Sequence, residues 1–253
     1  MSPSPRILLG IPACNEARTI GSVLARARSY CSDIMVIDDG STDGTTDLLS
    51  SWPVQVRPHS ENRGYGSSVR DLLEQARRQE FDWLITMDAD DQHHPHEIPV
   101  FLSAISGSRV DVISGSRYLS PRPGGDVPPR DRQEINHAIT GELNRRCASK
   151  ITDAFCGFKA FRVASCSLLP LDVDGYEFPL QFWVQAHVHS LRVMEVPVSM
   201  VYTGAKRSFG GLLDDPLQRH ALYMETIFRE LERWSLSPSG SRGDGLAPLT
   251  HIS

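Results

Sequence analysis

From Arg6 to Ser114 the chain alternates short apolar runs with longer stretches in which apolar residues recur at helical spacing. That alternation is the signature of a mainly parallel sheet flanked by helices, an α/β architecture. The apolar runs predict strands at Arg6–Ile11, Asp33–Ile37, Val54–Arg57, Trp83–Met87 and Val110–Ser114. The periodic stretches predict helices over Ala17–Ser29, Thr45–Ser51, Gly66–Gln79 and Pro95–Ser106. Ser120–Pro129, with its density of Pro and Gly, excludes regular structure and suits a linker or an active-site loop. Beyond it a helix is expected to about Ala148, a strand around Gly157–Phe161, a helix near Leu180–His189 and strands through Val193–Val201. A last helix begins at Asp215-Pro216, an N-cap followed by Pro at the first helical position. Its apolar stripe reads Leu217, Ala221, Met224, Phe228, Leu231 and Trp234. The expected division is one domain over residues 1–234 and a disordered Ser-, Gly- and Pro-rich tail over 235–253.

In such a sheet the working residues lie on loops leaving the carboxyl ends of the strands. The unusual residues of this chain fall there: PACNE after the first strand, DDGSTDGT after the second and DADDQHHP after the fourth. Asp88 and Asp90 stand two residues apart where an apolar strand meets solvent, with Gln92 two further on. Three oxygen donors at that spacing suit one hard cation, Mg²⁺ or Mn²⁺, which commonly shares its coordination with substrate phosphates. His93 and His94 would favour Mn²⁺ or a proton-transfer role, whereas an isolated D-x-D is more often a helix cap. In DDGSTDGT the glycines allow a tight turn and Asp43 caps the next helix. Capping leaves the successive acids Asp38 and Asp39 unexplained; carboxylates there suit hydrogen bonds to a nucleotide base or ribose. Neither G-x-G-x-x-G nor G-x-x-x-x-G-K-[ST] occurs, which disfavours nicotinamide, flavin and P-loop enzymes.

Composition narrows the partners. A formal net charge of -5 offers no basic field for nucleic acid. Five cysteines without C-x-x-C spacing point to reduced thiols in a cytoplasmic protein rather than a disulfide framework or a zinc site. No segment approaches the roughly 18 to 20 apolar residues of a spanning helix, and the apolar run within MSPSPRILLGIP is shorter than a signal-peptide core.

Taken in order, Pro12-Ala13-Cys14-Asn15-Glu16, Asp38-Asp39-Gly40-Ser41, Asn62-Arg63-Gly64 and Asp88-Ala89-Asp90 resemble the family 2 glycosyltransferases. Gly115-Ser116-Arg117-Tyr118, Asp153 with Cys156-Gly157-Phe158-Lys159-Ala160-Phe161, and Glu195-Val196-Pro197-Val198 narrow the resemblance to one branch, the dolichyl-phosphate mannose synthases and polyprenyl-phosphate glucosyltransferases. It runs from about residue 6 to 212 and implies the GT-A fold, a nucleotide-sugar donor (GDP-mannose or UDP-glucose) and a polyprenyl phosphate acceptor. It further implies that Pro12, Glu16, Ile37 and Asp39, with Cys14 beside them, hold the nucleoside, that Asp88, Ala89, Asp90 and Gln92 hold the diphosphate and metal, and that Arg117 contacts the donor side; Arg63, in its Asn-Arg-Gly setting, suits donor binding or a pair with a surface acid equally. Two departures stand out. Cys14 occupies a position where the family commonly has an aromatic, and Val201–Gly211 reads VYTGAKRSFGG in place of R-x-x-G-x-S-K. Tyr202 thus replaces an arginine, leaving Lys206 or Arg207 to supply charge for the donor phosphates.

The expected activity is a metal-dependent, inverting hexosyl transfer, with the metal and Arg117 stabilising the departing nucleoside diphosphate. An acceptor phosphate needs no general base. A soluble hydroxyl acceptor, the nearest alternative, needs one, and Asp153 is the candidate by motif. A nucleotide-sugar-binding protein without activity is the alternative from another class; the intact acidic motif argues against it and the altered VYTGAKRSFGG segment mildly for it. Arg130 and Arg132 read as a solvated face or acceptor-phosphate ligands, Lys159 as a snorkelling strand residue, and Cys156 and Cys166 as small buried residues. Lys206 and Arg207 next to Phe209, Leu212 and Leu213 suit peripheral contact with an anionic membrane.

Overall fold

The computed structural model describes residues 4–119, 126, 128–199, 201 and 211–234. Seven strands form one sheet: β1 (Ile7–Ala13), β2 (Ile34–Asp38), β3 (Gln55–Pro58), β4 (Trp83–Thr86), β5 (Val112–Ser116), β6 (Lys159–Arg162) and β7 (Val193–Pro197). Their spatial order is β3-β2-β1-β4-β6-β5-β7, and only β6 runs antiparallel to its neighbours β4 and β5. Around the sheet lie α1 (Ile20–Ala27), α2 (Thr45–Leu49), α3 (Tyr65–Arg78), α4 (Ile98–Gly107), α5 (Arg130–Cys147), α6 (Val163–Cys166), α7 (Phe178–Val188) and α8 (Pro216–Arg233).

The central strands β1, β2 and β4 are apolar at nearly every position because both faces are covered, and alternate residues serve different cores. Leu8, Met35 and Ile37 pack under α3, α5, α7 and α8, whereas Leu9, Ile34 and Val36 pack under α1, α2 and α4. The chain lays β2 and β3 to one side of β1 and then returns to place β4 on the other. The crevice beyond the carboxyl ends of β1 and β4 is therefore the topological switch point where open α/β sheets bind ligands.

The expected strands and helices are found, with ends shifted by a few residues; β5 begins at Val112 and β7 stops at Pro197. The side chain of Asp215 caps α8, accepting from the N–H groups of Leu217 (2.8 Å) and Gln218 (3.0 Å). The expected apolar stripe of α8 requires correction. Leu217 is 82% exposed, and the buried face is Arg219, Tyr223, Thr226, Ile227, Glu230 and Leu231. Polar residues occupy that face because neighbouring helices satisfy them: Glu230 accepts from the amides of Gln181 (2.9 Å) and Gln185 (2.7 Å) on α7, and Arg219 pairs with Asp131 on α5 (2.8 Å). Lys159 does not snorkel; it is buried, donating to the Cys156 carbonyl and lying over the Trp183 ring. The segments 120–125 and 202–210 and the tail from 235 lie outside the described residues, and with them Tyr202, Lys206, Arg207 and Phe209. Among the described residues no helix is long and apolar enough to cross a membrane.

Candidate active site

The loop after β1 is laced to the turn after β2. Asn15 adopts a left-handed conformation (φ 57°), in which its side-chain oxygen accepts from Thr42 N–H (2.8 Å) and its own N–H donates to Ser41 Oγ (2.9 Å). Glu16 N–H donates to Thr45 Oγ1 (2.8 Å). The two successive acids divide their work. Asp38 accepts from Ser41 N–H (3.2 Å) and the Thr46 hydroxyl, fixing the turn. Asp39 lines a cleft, and its carboxylate accepts from the N–H groups of Arg63 and Gly64, both at 2.8 Å.

The loop after β4 carries the second acidic pair. Asp90 Oδ1 accepts from Gln92 N–H (2.9 Å), and Asp88 N–H donates to His93 Nδ1 (3.1 Å). His93 is buried, and burial pushes its pKa down to about 4. With its Nδ1 accepting the Asp88 N–H and its ring outside the cleft lining, His93 is a support beneath the loop, so the metal or proton-transfer role expected of it is not sustained. Asp91, also left-handed (φ 64°), turns toward α1 and pairs with Arg26. Asp88 and Asp90 both line the cleft with Gln92. A Cβ added at Gly157 would lie 2.7 Å from each Asp88 carboxylate oxygen, so glycine there leaves room for that carboxylate. Two hard carboxylates fit Mg²⁺ or Mn²⁺. Among the described residues no cluster of three or more His, Cys, Asp or Glu would hold an ion unaided. This donor set calls for oxygens from a ligand to complete it.

Across the cleft, Arg117 follows β5 and forms a two-pronged pair with Asp153, Nε to Oδ2 at 2.6 Å and a terminal nitrogen to Oδ1 at 2.9 Å. Asp153 is fully buried and also accepts from Asn136 Nδ2 (2.8 Å) and from the N–H groups of Arg117 and Phe155 (both 3.2 Å). Burial opposes its charge, but the Arg117 guanidinium and the Asn136 amide hold the carboxyl well below the usual carboxylate range. The Thr152 and Asp153 N–H groups are in turn held by Glu195 at the β7 edge (2.9 and 3.2 Å). Asp153 does not line the cleft, which corrects its candidacy as a general base: no solvent or substrate proton reaches it, and its lone pairs are engaged.

The cleft has a volume of about 530 Å³. It brings together the predicted Pro12, Cys14, Glu16, Asp39, Asp88, Ala89, Asp90, Gln92 and Arg117. Ile37 is not among its lining residues; it pairs with Pro12 in register and its side chain is in the core. Arg63 meets the site only through its backbone, its guanidinium turning to Asp71 (3.3 Å). Lys206 and Arg207 fall outside the described residues. Arg130 is an exposed partner of Glu134, but Arg132, two residues on, lines the cleft. Sequence reading missed Tyr65, Asn136, Phe155, Tyr176, Arg219 and Tyr223, which line the cleft from α3, α5, α8 and the loops before β6 and α7. Arg219 left no trace in the sequence, because the stripe read there placed it off the apolar face of α8.

Residues 9–168 match the sequence profile of glycosyl transferase family 2. The undecaprenyl-phosphate mannosyltransferase of Micrococcus luteus is 29% identical over 226 residues, 83% of this chain and 90% of that protein. The polyprenol monophosphomannose synthase of Mycolicibacterium smegmatis is 29% identical over 210 residues, 78% of each chain. Among solved structures, glucosyl-3-phosphoglycerate synthase from Mycobacterium tuberculosis superposes with a TM-score of 0.66 at 18% identity, covering 98% of this chain and 88% of that one. That complex holds Mn²⁺, UDP-glucose and phosphoglyceric acid. At this identity the likeness speaks for the fold, a GT-A-like sheet.

Proposed function

This chain belongs to glycosyl transferase family 2, and from that membership we propose that it moves a hexose from a nucleotide sugar, GDP-mannose or UDP-glucose, to a polyprenyl phosphate. The observation that carries the acceptor class is the division of the cleft into two chemistries. Among the described residues, all four carboxylates of the cleft, Glu16, Asp39, Asp88 and Asp90, come from the loops after β1, β2 and β4. The remaining wall, from α5, α8, the start of α7 and the loops before β6 and α7, supplies Arg132 and Arg219 among Ile135, Phe155, Tyr176, Pro179 and Tyr223. Cations set among apolar and aromatic surfaces suit a phosphate carrying a hydrocarbon chain. The named activities of the two relatives agree with this class.

In this reading Pro12, Cys14, Glu16 and Asp39 receive the nucleoside, while Asp88, Ala89, Asp90 and Gln92 receive the diphosphate and a divalent cation. Bound there, Mg²⁺ or Mn²⁺ would neutralise charge on the leaving diphosphate. Arg117, made rigid by Asp153, contributes a preorganised positive charge at the same developing anion. An acceptor phosphate oxygen attacks the anomeric carbon from the face opposite the diphosphate. The carbon–oxygen bond to the diphosphate breaks, its electron pair leaves on the diphosphate oxygen, and the configuration inverts. The nucleophile is already an anion, so no proton has to be removed. A hydroxyl acceptor would need a base on the acceptor wall, and Asp153, the carboxylate expected there, is sealed beneath Arg117.

The test is transfer of labelled hexose from a panel of nucleotide sugars, with and without Mn²⁺, to a short-chain polyprenyl phosphate, to phosphoglyceric acid and to water. Label extracted into butanol only with the polyprenyl phosphate supports the proposal. Label that stays in water-soluble product assigns a soluble acceptor, and donor binding with no turnover assigns a binding protein.

A further inference from the structure

His59 follows β3, and its side chain is only 6% exposed. Its Nδ1 lies 2.6 Å from Asp39 Oδ1 and its Nε2 lies 2.8 Å from Asp71 Oδ2 on α3. A neutral imidazole has one N–H and can donate to only one carboxylate, whereas the imidazolium donates to both. The Arg63 guanidinium also reaches Asp71 (3.3 Å), so two carboxylates, an imidazole and a guanidinium form a closed cluster behind the cleft wall. The Asp39 carboxylate is the peg on which the neighbouring turn hangs, through the Arg63 and Gly64 N–H groups. Asn62 and Gly64 of that turn line the cleft beside Asp39. The segment is wedged as well. Gly40 (φ 69°) has no Cβ, and the backbone of Glu61 and Asn62 fills the place one would take. Just beyond, Gly66 N–H donates to the Asp174 carbonyl (2.6 Å).

We propose that His59 is a positioning residue for the donor nucleoside: by gripping Asp39 from behind, it sets the carboxylate and the 62–64 turn that together form that wall of the cleft. The inference rests on the reading that the Asp39 end of the cleft receives the nucleoside. His59 itself does not line the cleft and acts through Asp39.

Two substitutions separate a donor from a filler. In His59→Asn the amide nitrogen takes the place of Nδ1 and still donates to Asp39; in His59→Phe the ring volume stays and both donors are lost. UDP and GDP binding in Mn²⁺ is measured by calorimetry, donor KM and kcat by transfer, and folding by circular dichroism and melting. His59→Phe is expected to weaken nucleotide binding by about 10- to 100-fold, as befits loss of a charge-assisted hydrogen bond, and to raise donor KM with kcat within about threefold. His59→Asn is expected to stay within about threefold of the unsubstituted protein in affinity. A filler role reverses the order, making Phe the milder change, and that order overturns the proposal, as does undiminished binding by the Phe variant. Should the Phe variant fail to fold, His59→Gln, whose amide reaches toward Asp71, is expected to lose affinity in its place, and full binding by it is equally fatal. If the unsubstituted protein binds neither nucleotide, the functional reading falls and this inference with it; binding that survives every His59 change removes this inference alone.

Discussion

Replacing Asp153 with Asn separates a buried support from a catalytic base. The side chain is fully buried, and its two oxygens receive five hydrogen bonds: three from Arg117, one from Asn136 and one from the Phe155 N–H. Asn keeps the shape but turns one acceptor into a donor facing the guanidinium, and it leaves the Arg117 charge without its partner. Removing one member of a buried ion pair typically costs about 3 to 5 kcal/mol. For a domain of this size that corresponds to a fall of roughly 6 to 20 °C in melting temperature. The pH dependence follows from the depressed folded-state pKa of Asp153, whose ordinary value is 3.8. A carboxyl that binds its proton less readily folded than unfolded contributes its full stability above that ordinary value, and the contribution is lost as pH falls toward the folded-state pKa. The stability gap between the unsubstituted protein and Asp153→Asn should therefore be complete at neutral pH and narrow below about pH 4. Urea titrations at pH 7, 5 and 3.5, with turnover measured below the transition, provide the assay. A general base would behave otherwise: turnover would drop about 10²- to 10⁴-fold with folding almost untouched. A destabilisation under about 1 kcal/mol at pH 7 would refute the argument that Asp153 holds Arg117 rather than a substrate proton.

Asp90→Asn is expected to lower metal-dependent turnover by at least about 100-fold with an unchanged melting temperature, since the change is nearly isosteric at a half-open site; a variant with most of its turnover at saturating donor contradicts the ligand assignment. Gly157→Ala puts a methyl group 2.7 Å from both Asp88 oxygens, so the carboxylate must move, and kcat/KM at saturating Mn²⁺ should fall by about 10- to 100-fold. Unchanged kinetics there would mean that Asp88 need not hold its position. Cys14 is the partly exposed cysteine in the cleft, its thiol pKa pushed up by burial, while Cys31, Cys147, Cys156 and Cys166 are buried. Iodoacetamide should label Cys14 first, faster as pH rises, and UDP or GDP with Mn²⁺ should slow the labelling; labelling indifferent to saturating nucleotide places the nucleoside elsewhere. Sedimentation with anionic liposomes at low salt should carry part of the protein down, less so for Lys206→Gln with Arg207→Gln, and a protein wholly in the supernatant even with polyprenyl phosphate present speaks for a soluble acceptor.

Much of this protein is written locally. A strand buried on both faces must be apolar throughout, so β1, β2 and β4 announce themselves, and a polar cluster at the end of such a strand stands out because the ladder has ended there. The PACNE, DDGSTDGT and DADDQ loops were legible for that reason, as was the cap of α8, whose signal lies within four residues. The sequence by itself therefore determined the sheet, the acidic loops and the order of the motifs. Residue chemistry alone did not tell which acid of the DD pair faces the cleft; the family resemblance pointed to Asp39, and Asp39 is the one that lines it. Asp38 and Asp39 are adjacent and chemically identical, but successive residues at a strand end face opposite ways; Ser41 and Thr46 hold Asp38 in the turn, while the Arg63 and Gly64 N–H groups hold Asp39 at the cleft. In the same way Asp153 looks like a free catalytic carboxylate until Arg117 and Asn136, 36 and 17 positions away, close over it. The buried face of α8 was misread because a stripe count assumes that burial is apolar, whereas Gln181, Gln185 and Asp131 from two other helices satisfy Glu230 and Arg219. Contacts between residues far apart in the chain decide which polar groups are buried and paired. Periodicity carries no record of those pairings, so the cleft wall that carries Arg132 and Arg219 and the support for Arg117 belong to the tertiary structure alone.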